Sequence, residues 1–98
     1  MIVNNLLLKL KERDDENIAK ARDVLLSMKG KIGVMCDVQV EVDIRHGSSS
    51  YDIMLITKFA TMEDFDAYLV HPVHVEVSKY ISMVLESGAS VCYESKRE

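Results

Sequence analysis

Residues 34–44, VMCDVQVEVDI, alternate apolar and polar side chains almost without a break. A period of two matches the pleat of a β-strand, where neighbouring side chains point to opposite faces, and it does not fit a helix. We interpret the polar row as a solvated face or as charge that blunts a sheet edge, rather than as a cation site. The apolar face consists of Val34, Cys36, Val38, Val40, Val42 and Ile44, and the polar face of Asp37, Gln39, Glu41 and Asp43.

Residues 2–11, 51–59 and 89–94 are also predicted to be strands, and two segments between strands have helical periodicity. The first helix is expected to start at Asp14 or Asp15 as N-cap, and to end at Gly30 with Lys29 in its last turn. Its apolar face consists of Ile18, Ala21, Leu25 and Met28.

The second helical segment is predicted to open at Thr61, with Asp64 three residues later, and to end at Gly88. Pro72 interrupts it, because a proline inside a helical pattern ends one helix or starts the next. The apolar side consists of Phe65, Tyr68 and Leu69 before the proline and of Val77, Ile81, Val84 and Leu85 after it.

The resulting order is strand, helix, strand, strand, broken helix, strand, which is the ferredoxin-like split βαβ arrangement. We therefore predict an α+β fold, a four-stranded antiparallel sheet with its helices on one face. The 98 residues are expected to form one domain, 1–98, since 48% of them are hydrophobic and 29% are charged.

The third predicted strand is apolar on both of its faces. Its apolar residues are Ile53, Leu55 and Phe59 on one face and Met54 and Ile56 on the other. Helices can cover only one side of the sheet, so the other would expose several hundred Å² of apolar surface, more than a monomer usually shows. A second copy packed sheet against sheet solves this, and we predict a homodimeric α/β barrel.

Charge and composition exclude several classes of protein. A net charge of −4 and the lack of basic runs argue against a nucleic-acid surface. No apolar stretch approaches the ~20 residues of a membrane helix, and the N-terminus lacks the features of a signal peptide. Two cysteines are too few for a disulfide scaffold, so we expect a reduced cytoplasmic protein with Cys36 and Cys92 as small buried residues on opposite sheet edges.

Three segments resemble a known family: MIVNNLLLKLK at the start, YDIMLITKFATMEDFDAYLVHPVHVEVSKYI in the middle and VCYE near the end. The most specific part is F-x-x-x-E-D-F-x-x-Y-L-x-H-P-x-H, which spans Phe59 to His74. Together these segments resemble the stress-responsive A/B barrel (Dabb) family. The resemblance implies a ferredoxin-like α+β barrel that dimerises through its sheets.

The resemblance also implies a site. In a plant polyketide cyclase of the family, the second histidine of the HPxH motif is a general base held by the tyrosine six residues before it. The matching residues are His74 and Tyr68. Many members carry a histidine early in the first strand, where this chain has Asn4.

The residues by themselves leave a structural alternative open for this pair, with Tyr68 as a core aromatic and His74 as a histidine in the first turn after Pro72. His71 precedes Pro72 and is expected to cap the next helix. No metal site is predicted, because the H-x-x-H pair supplies only two ligands.

The functional hypothesis is an apolar pocket between sheet and helices for a small apolar or carbonyl ligand, with Tyr68 and His74 at its mouth. An enzyme of this kind would perform cofactor-free acid–base chemistry, cyclase-like or isomerase-like, with His74 as base. The alternatives are a non-catalytic stress-response or binding protein and a dimeric-barrel monooxygenase, the latter by fold analogy. No cofactor is expected.

Overall fold

The computed structural model describes residues 1–96. It confirms the predicted order of elements and the α+β class, with a four-stranded antiparallel sheet and three helices. In chain order the elements are β1 (Ile2–Leu10), α1 (Asp15–Leu26), β2 (Met35–Val42), β3 (Ile53–Phe59), α2 (Met62–Leu69), α3 (Pro72–Val84) and β4 (Leu85–Glu94).

The strands lie in the order β2-β3-β1-β4, so β1 and β3 are central and the other two are edges. Leu6 of β1 lies opposite Leu55 of β3 on one side and Ser90 of β4 on the other. All three pairings are antiparallel. Because side chains alternate along each strand, this register fixes which residues share a face of the sheet.

The main core lies between this sheet and the helices. Alternate side chains of β1 and β3 are buried there against the inner faces of α1 and α3, as the apolar periodicity predicts. The buried residues are Leu8 and Leu10 of β1, Ile53, Leu55 and Phe59 of β3, Ile18, Ala21 and Leu25 of α1, and Val77 and Ile81 of α3.

The helix starts follow the expected capping chemistry. The Asp14 carboxylate accepts a hydrogen bond of 2.8 Å from the backbone N–H of Asn17, and the Thr61 hydroxyl accepts one of 3.1 Å from that of Asp64. Each bond satisfies a donor that the first turn of a helix leaves free.

Two predicted helix ends are wrong. α1 ends at Leu26, so Lys29 lies outside it, and Gly30, with φ +78°, sits in the following turn. α3 ends at Val84, and Gly88 lies inside β4 opposite Leu8. The chain leaves α3 early, and β4 instead pairs with β1 along its whole length, from Ile2 to Leu10. This pairing satisfies backbone groups on the facing sides of both strands.

Four side chains predicted to be apolar core are exposed. The pairing register shifts between Met35 and Asp37, which turns Cys36 outward at the edge of the sheet. Cys92 is exposed because β4 is an edge strand that the helices do not cover. Ile44 and Leu69 lie at or beyond the end of their elements and are 89% and 43% exposed.

The opposite face of the sheet carries no helix, and its centre is apolar. Leu7 lies opposite Met54 and Ala89, and Asn5 lies between Ile56 and Val91. Val91 and Tyr93 of β4 are 64% and 48% exposed. This is the uncovered apolar face that the sequence pattern of the third strand predicted. Within residues 1–96, no helix combines the length and apolarity needed to cross a membrane.

Candidate functional site

The joint between α2 and α3 is built by His71 and Pro72. Pro72 is the first residue of α3, where its fixed φ is favourable and its missing N–H costs no hydrogen bond. His71 is the N-cap, and its Nδ1 accepts a 3.1 Å hydrogen bond from the backbone N–H of Val73. The expected capping role of His71 is confirmed.

His74 lies in the first turn of α3 and is half-buried. Its Nδ1 lies 3.0 Å from the carbonyl oxygen of Leu69, the last residue of α2. A carbonyl only accepts, so Nδ1 carries the hydrogen and Nε2 is left with its lone pair. The pKa of His74 is lowered below its usual value, mainly because burial disfavours the charged ring. The hydrogen bond to Leu69 opposes this by raising the pKa, and the neighbouring charge of His71 lowers it further. At neutral pH the ring is therefore uncharged, with a free proton acceptor.

Tyr68 is 3% exposed and forms part of an aromatic cluster. Its ring centroid lies 4.3 Å from that of His74 and 4.9 Å from that of Phe59. Among residues 1–96, the Tyr68 hydroxyl donates only to the sulfur of Met28, at 3.9 Å. The two residues thus meet ring to ring, and the Leu69 carbonyl, not the tyrosine hydroxyl, orients His74. Burial raises the pKa of Tyr68 to about 12.

A cavity of about 200 Å³ lies between the sheet and the helices, with both Tyr68 and His74 on its wall. The sheet provides an apolar floor, and α3 provides most of the sides, together with Leu25 of α1, Met28 just after it and Tyr68 of α2. Ser78 and Ser82 follow His74 at successive turns of α3 and add hydroxyls to the rim. The remaining lining residues are Leu6, Leu8, Leu55, Val77, Ile81, Leu85 and Gly88.

Asn4 lies on the helix side of β1, opposite Thr57 of β3 and Cys92 of β4. It is two residues from the cavity-lining Leu6 on the same face. The Thr57 hydroxyl is completely buried and has no hydrogen-bond partner among residues 1–96. No sequence pattern singled out Thr57, because a threonine in a strand is ordinary.

The sequence also gave no warning of a buried ion pair outside this cavity. Asp52 is 1% exposed; it accepts hydrogen bonds from the backbone N–H of Leu10 and from Nε of Arg13, at 2.9 and 3.0 Å. Arg13 also donates to the carbonyl oxygens of Gly47 and Ser50, so it ties the β2–β3 loop to the chain just before α1.

We also considered a second cleft and clusters of metal-binding side chains as possible ligand sites. A wider open cleft of about 330 Å³ lies at the β2 edge, between Leu7, Glu41 and Tyr51, away from His74. Across residues 1–96 the structure has no cluster of three or more side chains suited to a metal. The cavity at Tyr68 and His74 is therefore the place where apolar walls and a proton acceptor meet.

The comparisons with known proteins agree with this architecture. The family model described as the stress responsive A/B barrel domain matches residues 2–95. No curated protein matches the sequence.

Solved structures match the fold across almost the whole chain. A dimeric protein of unknown function from Bacteroides fragilis is 24% identical with a TM-score of 0.81, covering 96% of this chain and 95% of its own. A hydroxynitrile lyase from Passiflora edulis is 12% identical with a TM-score of 0.82, covering 99% and 95%. An antibiotic biosynthesis monooxygenase is 11% identical with a TM-score of 0.73, covering 99% and 100%. At these identities, the similarity extends to the fold alone.

Proposed function

The chain belongs to the stress responsive A/B barrel (Dabb) domain family, and from that premise we propose that it binds a small apolar or carbonyl compound beside His74. The observation that supports this is the cavity of about 200 Å³ with apolar walls and Tyr68 and His74 on one side. Ligand sites of this kind combine a mostly apolar surface with a few polar groups that fix orientation. The volume is below the ~300–1,000 Å³ of pockets for drug-sized ligands, which favours a small molecule.

The chemistry we propose is cofactor-free acid–base catalysis with His74 as the base. Its Nε2 is the free acceptor of a neutral imidazole, because Nδ1 donates to Leu69. A base of this kind can remove a proton next to a carbonyl group, the first step of an isomerisation or an aldol-type cyclisation.

The test is proton exchange at the α-carbons of cyclohexanone in D₂O, followed by NMR. The wild-type protein is expected to bind this ketone and to accelerate exchange, and His74→Ala is expected to remove the acceleration. His46→Asn is the matched control, since it removes an exposed histidine with φ 54° and asparagine tolerates that conformation. Equal rates for wild type and His74→Ala would remove His74 as the base.

A non-catalytic binding protein is the second candidate, and Asn4 is the observation that favours it. An amide cannot exchange a proton at neutral pH as the histidine of many family members does at that position. In this case the cavity would bind cyclohexanone, but neither wild type nor His74→Ala would accelerate exchange. Binding without exchange therefore separates the two candidates.

We also infer that two copies pack through the helix-free sheet face. The Bacteroides fragilis protein of the same fold is described as dimeric, and here Leu7, Met54 and Ile56 form an apolar centre on that face. Light scattering at micromolar concentration should give twice the mass of one chain, and Met54→Lys should give the mass of one. Val70→Lys, at a site 74% exposed between α2 and α3, should leave the dimer intact.

A wild-type mass of one chain would end this dimer model. For location, we infer the cytoplasm, because Cys36 and Cys92 are both exposed free thiols, a state that a reducing compartment preserves.

A further inference from the structure

A row of three polar side chains crosses the helix side of the sheet next to the cavity. Thr57 of β3 lies opposite Asn4 of β1, and Asn4 lies opposite Cys92 of the edge strand β4. This polar row leads from the core to the surface, because Thr57 is completely buried, Asn4 is half-buried and Cys92 is exposed. The next row on the same face contains Leu55 and Leu6, and both of these line the cavity.

Two neighbouring members of the polar row have unused hydrogen-bonding groups. Within residues 1–96, the buried Thr57 hydroxyl has no partner, and the side-chain amide of Asn4 makes no hydrogen bond. A buried hydroxyl without a partner costs stability and is rare in native proteins, so it requires an explanation. Because the amide beside it is also unused and is half-buried rather than fully buried, the pair is suited to a polar group that enters from the cavity.

We propose that Asn4 binds a hydroxyl group of the ligand in the cavity, and that Thr57 positions Asn4 for this contact. Residues directly opposite each other on neighbouring strands have Cβ atoms about 4.5–5.5 Å apart, so the Thr57 O–H is within reach of the Asn4 amide oxygen. That hydrogen bond satisfies Thr57 and leaves the Asn4 amide nitrogen to donate to the oxygen of the ligand.

The chemistry of the polar row favours a neutral hydroxyl over a charged group. The row contains no carboxylate, lysine or arginine, so a charged ligand group buried there would have no counter-ion and would cost free energy. The apolar part of the ligand would then pack against Leu6 and Leu55 of the adjacent row. This inference rests on the proposed cavity function and narrows its ligand class to small apolar compounds that carry a hydroxyl group.

The first experiment compares two ligands of similar shape, cyclohexanol and methylcyclohexane, whose affinities are measured by ligand-observed NMR. The ratio of alcohol to hydrocarbon affinity should fall about two- to tenfold in both Asn4→Leu and Thr57→Val. Thr57→Ser keeps the hydroxyl and should keep the wild-type ratio. Asn5→Leu is the matched control, because it makes the same change at the next residue of β1, which points to the opposite face of the sheet.

The second experiment uses Cys92 as a reporter, because this exposed thiol lies opposite Asn4 at the outer end of the polar row. Cyclohexanol should slow the alkylation of Cys92 by iodoacetamide, followed by mass spectrometry. Cys36, an exposed thiol on the other edge strand, is the internal control and should react at an unchanged rate. The protection of Cys92 should be lost in Asn4→Leu.

The outcomes separate this inference from the cavity function. An unchanged affinity ratio in Asn4→Leu and Thr57→Val would overturn the inference and leave the cavity function intact. A ratio that falls in His74→Ala but not in Asn4→Leu would also overturn it, because the hydroxyl would then bind at His74. Failure of the wild type to bind cyclohexanol and cyclohexanone would instead overturn the cavity function itself.

Discussion

Asp52 and Tyr68 are both almost completely buried, but they differ in whether their polar atoms have strong hydrogen-bond partners. The Asp52 carboxylate accepts hydrogen bonds from the Leu10 backbone and from Arg13. Within the described part of the chain, the Tyr68 hydroxyl has only the sulfur of Met28 as its hydrogen-bond acceptor. On the same face of the sheet as the cavity, the Thr57 hydroxyl is buried and has no hydrogen-bond partner among the described residues, 1–96. The molecule therefore has one polar region that is satisfied and another that is not.

A buried polar atom with a good hydrogen-bond partner stabilises the fold, whereas one without such a partner does not. Removing a buried polar group that is hydrogen-bonded lowers the free energy of unfolding, because the group's partner is left without a hydrogen bond. A buried hydroxyl that lacks a partner already lowers stability, so removing it costs little or nothing. Mutations that delete polar atoms in the two regions should therefore have opposite signs.

The largest effect is expected for Asp52→Ala. It leaves the Leu10 N–H and the Nε–H of the partly buried Arg13 without their acceptor. We expect the free energy of unfolding to fall by about 3 kcal/mol, measured by urea denaturation. The control is Asp23→Ala, since Asp23 forms an exposed pair with Arg22 and should change stability by less than about 0.5 kcal/mol. A similar change in the free energy of unfolding for Asp52→Ala and Asp23→Ala would show that the buried pair is worth no more than the exposed one.

His71→Ala tests a second polar group that has a hydrogen-bond partner, at the start of α3. The His71 ring accepts the hydrogen bond from Val73 that starts α3, so its loss should destabilise the protein by about 1 kcal/mol. Asparagine is a good N-cap, and His71→Asn should recover most of that loss in the same urea assay. No recovery by asparagine would show that the cap is not what His71 contributes.

Thr57→Val should have the opposite sign. It replaces a completely buried hydroxyl, which has no hydrogen-bond partner within residues 1–96, with a methyl group of nearly the same shape. The variant is expected to be more stable than wild type by up to about 1 kcal/mol, visible as a higher urea midpoint. Thr61→Val, which removes a hydroxyl that caps α2, should be destabilising instead. A destabilised Thr57→Val would show that this hydroxyl has a partner.

The smallest effect is expected from pH. Because burial lowers the pKa of His74 in the folded protein, the unfolded chain binds a proton first as pH falls below its usual value of about 6.5. Stability should therefore fall between about pH 7 and the lowered pKa, with no contribution above pH 7. Urea unfolding at pH 7.5 and 5.5 should show a smaller difference in His74→Gln than in wild type. An equal difference in both would exclude His74 as the source, and His46→Asn serves as the control.

The sequence predicted most of the fold because its signals are local. Alternation in β2, helical spacing in α1 and the proline at residue 72 each depend on near neighbours, and each element was confirmed. The element ends were less predictable: Gly30 and Gly88 look alike in sequence, but one lies in a turn and the other pairs with Leu8 inside β4. Long-range pairing, which overrides local stop signals, decided that difference.

The candidate site divides in the same way. The sequence alone placed Tyr68, His71 and His74 around one proline, and assigned the cap to His71. Only the tertiary structure showed that the Leu69 carbonyl orients His74, that the Tyr68 hydroxyl has no strong partner, and that Asp52 reaches back across the chain to Arg13. Local periodicity encodes elements and faces, whereas the satisfaction of a buried polar atom depends on groups that only folding brings together.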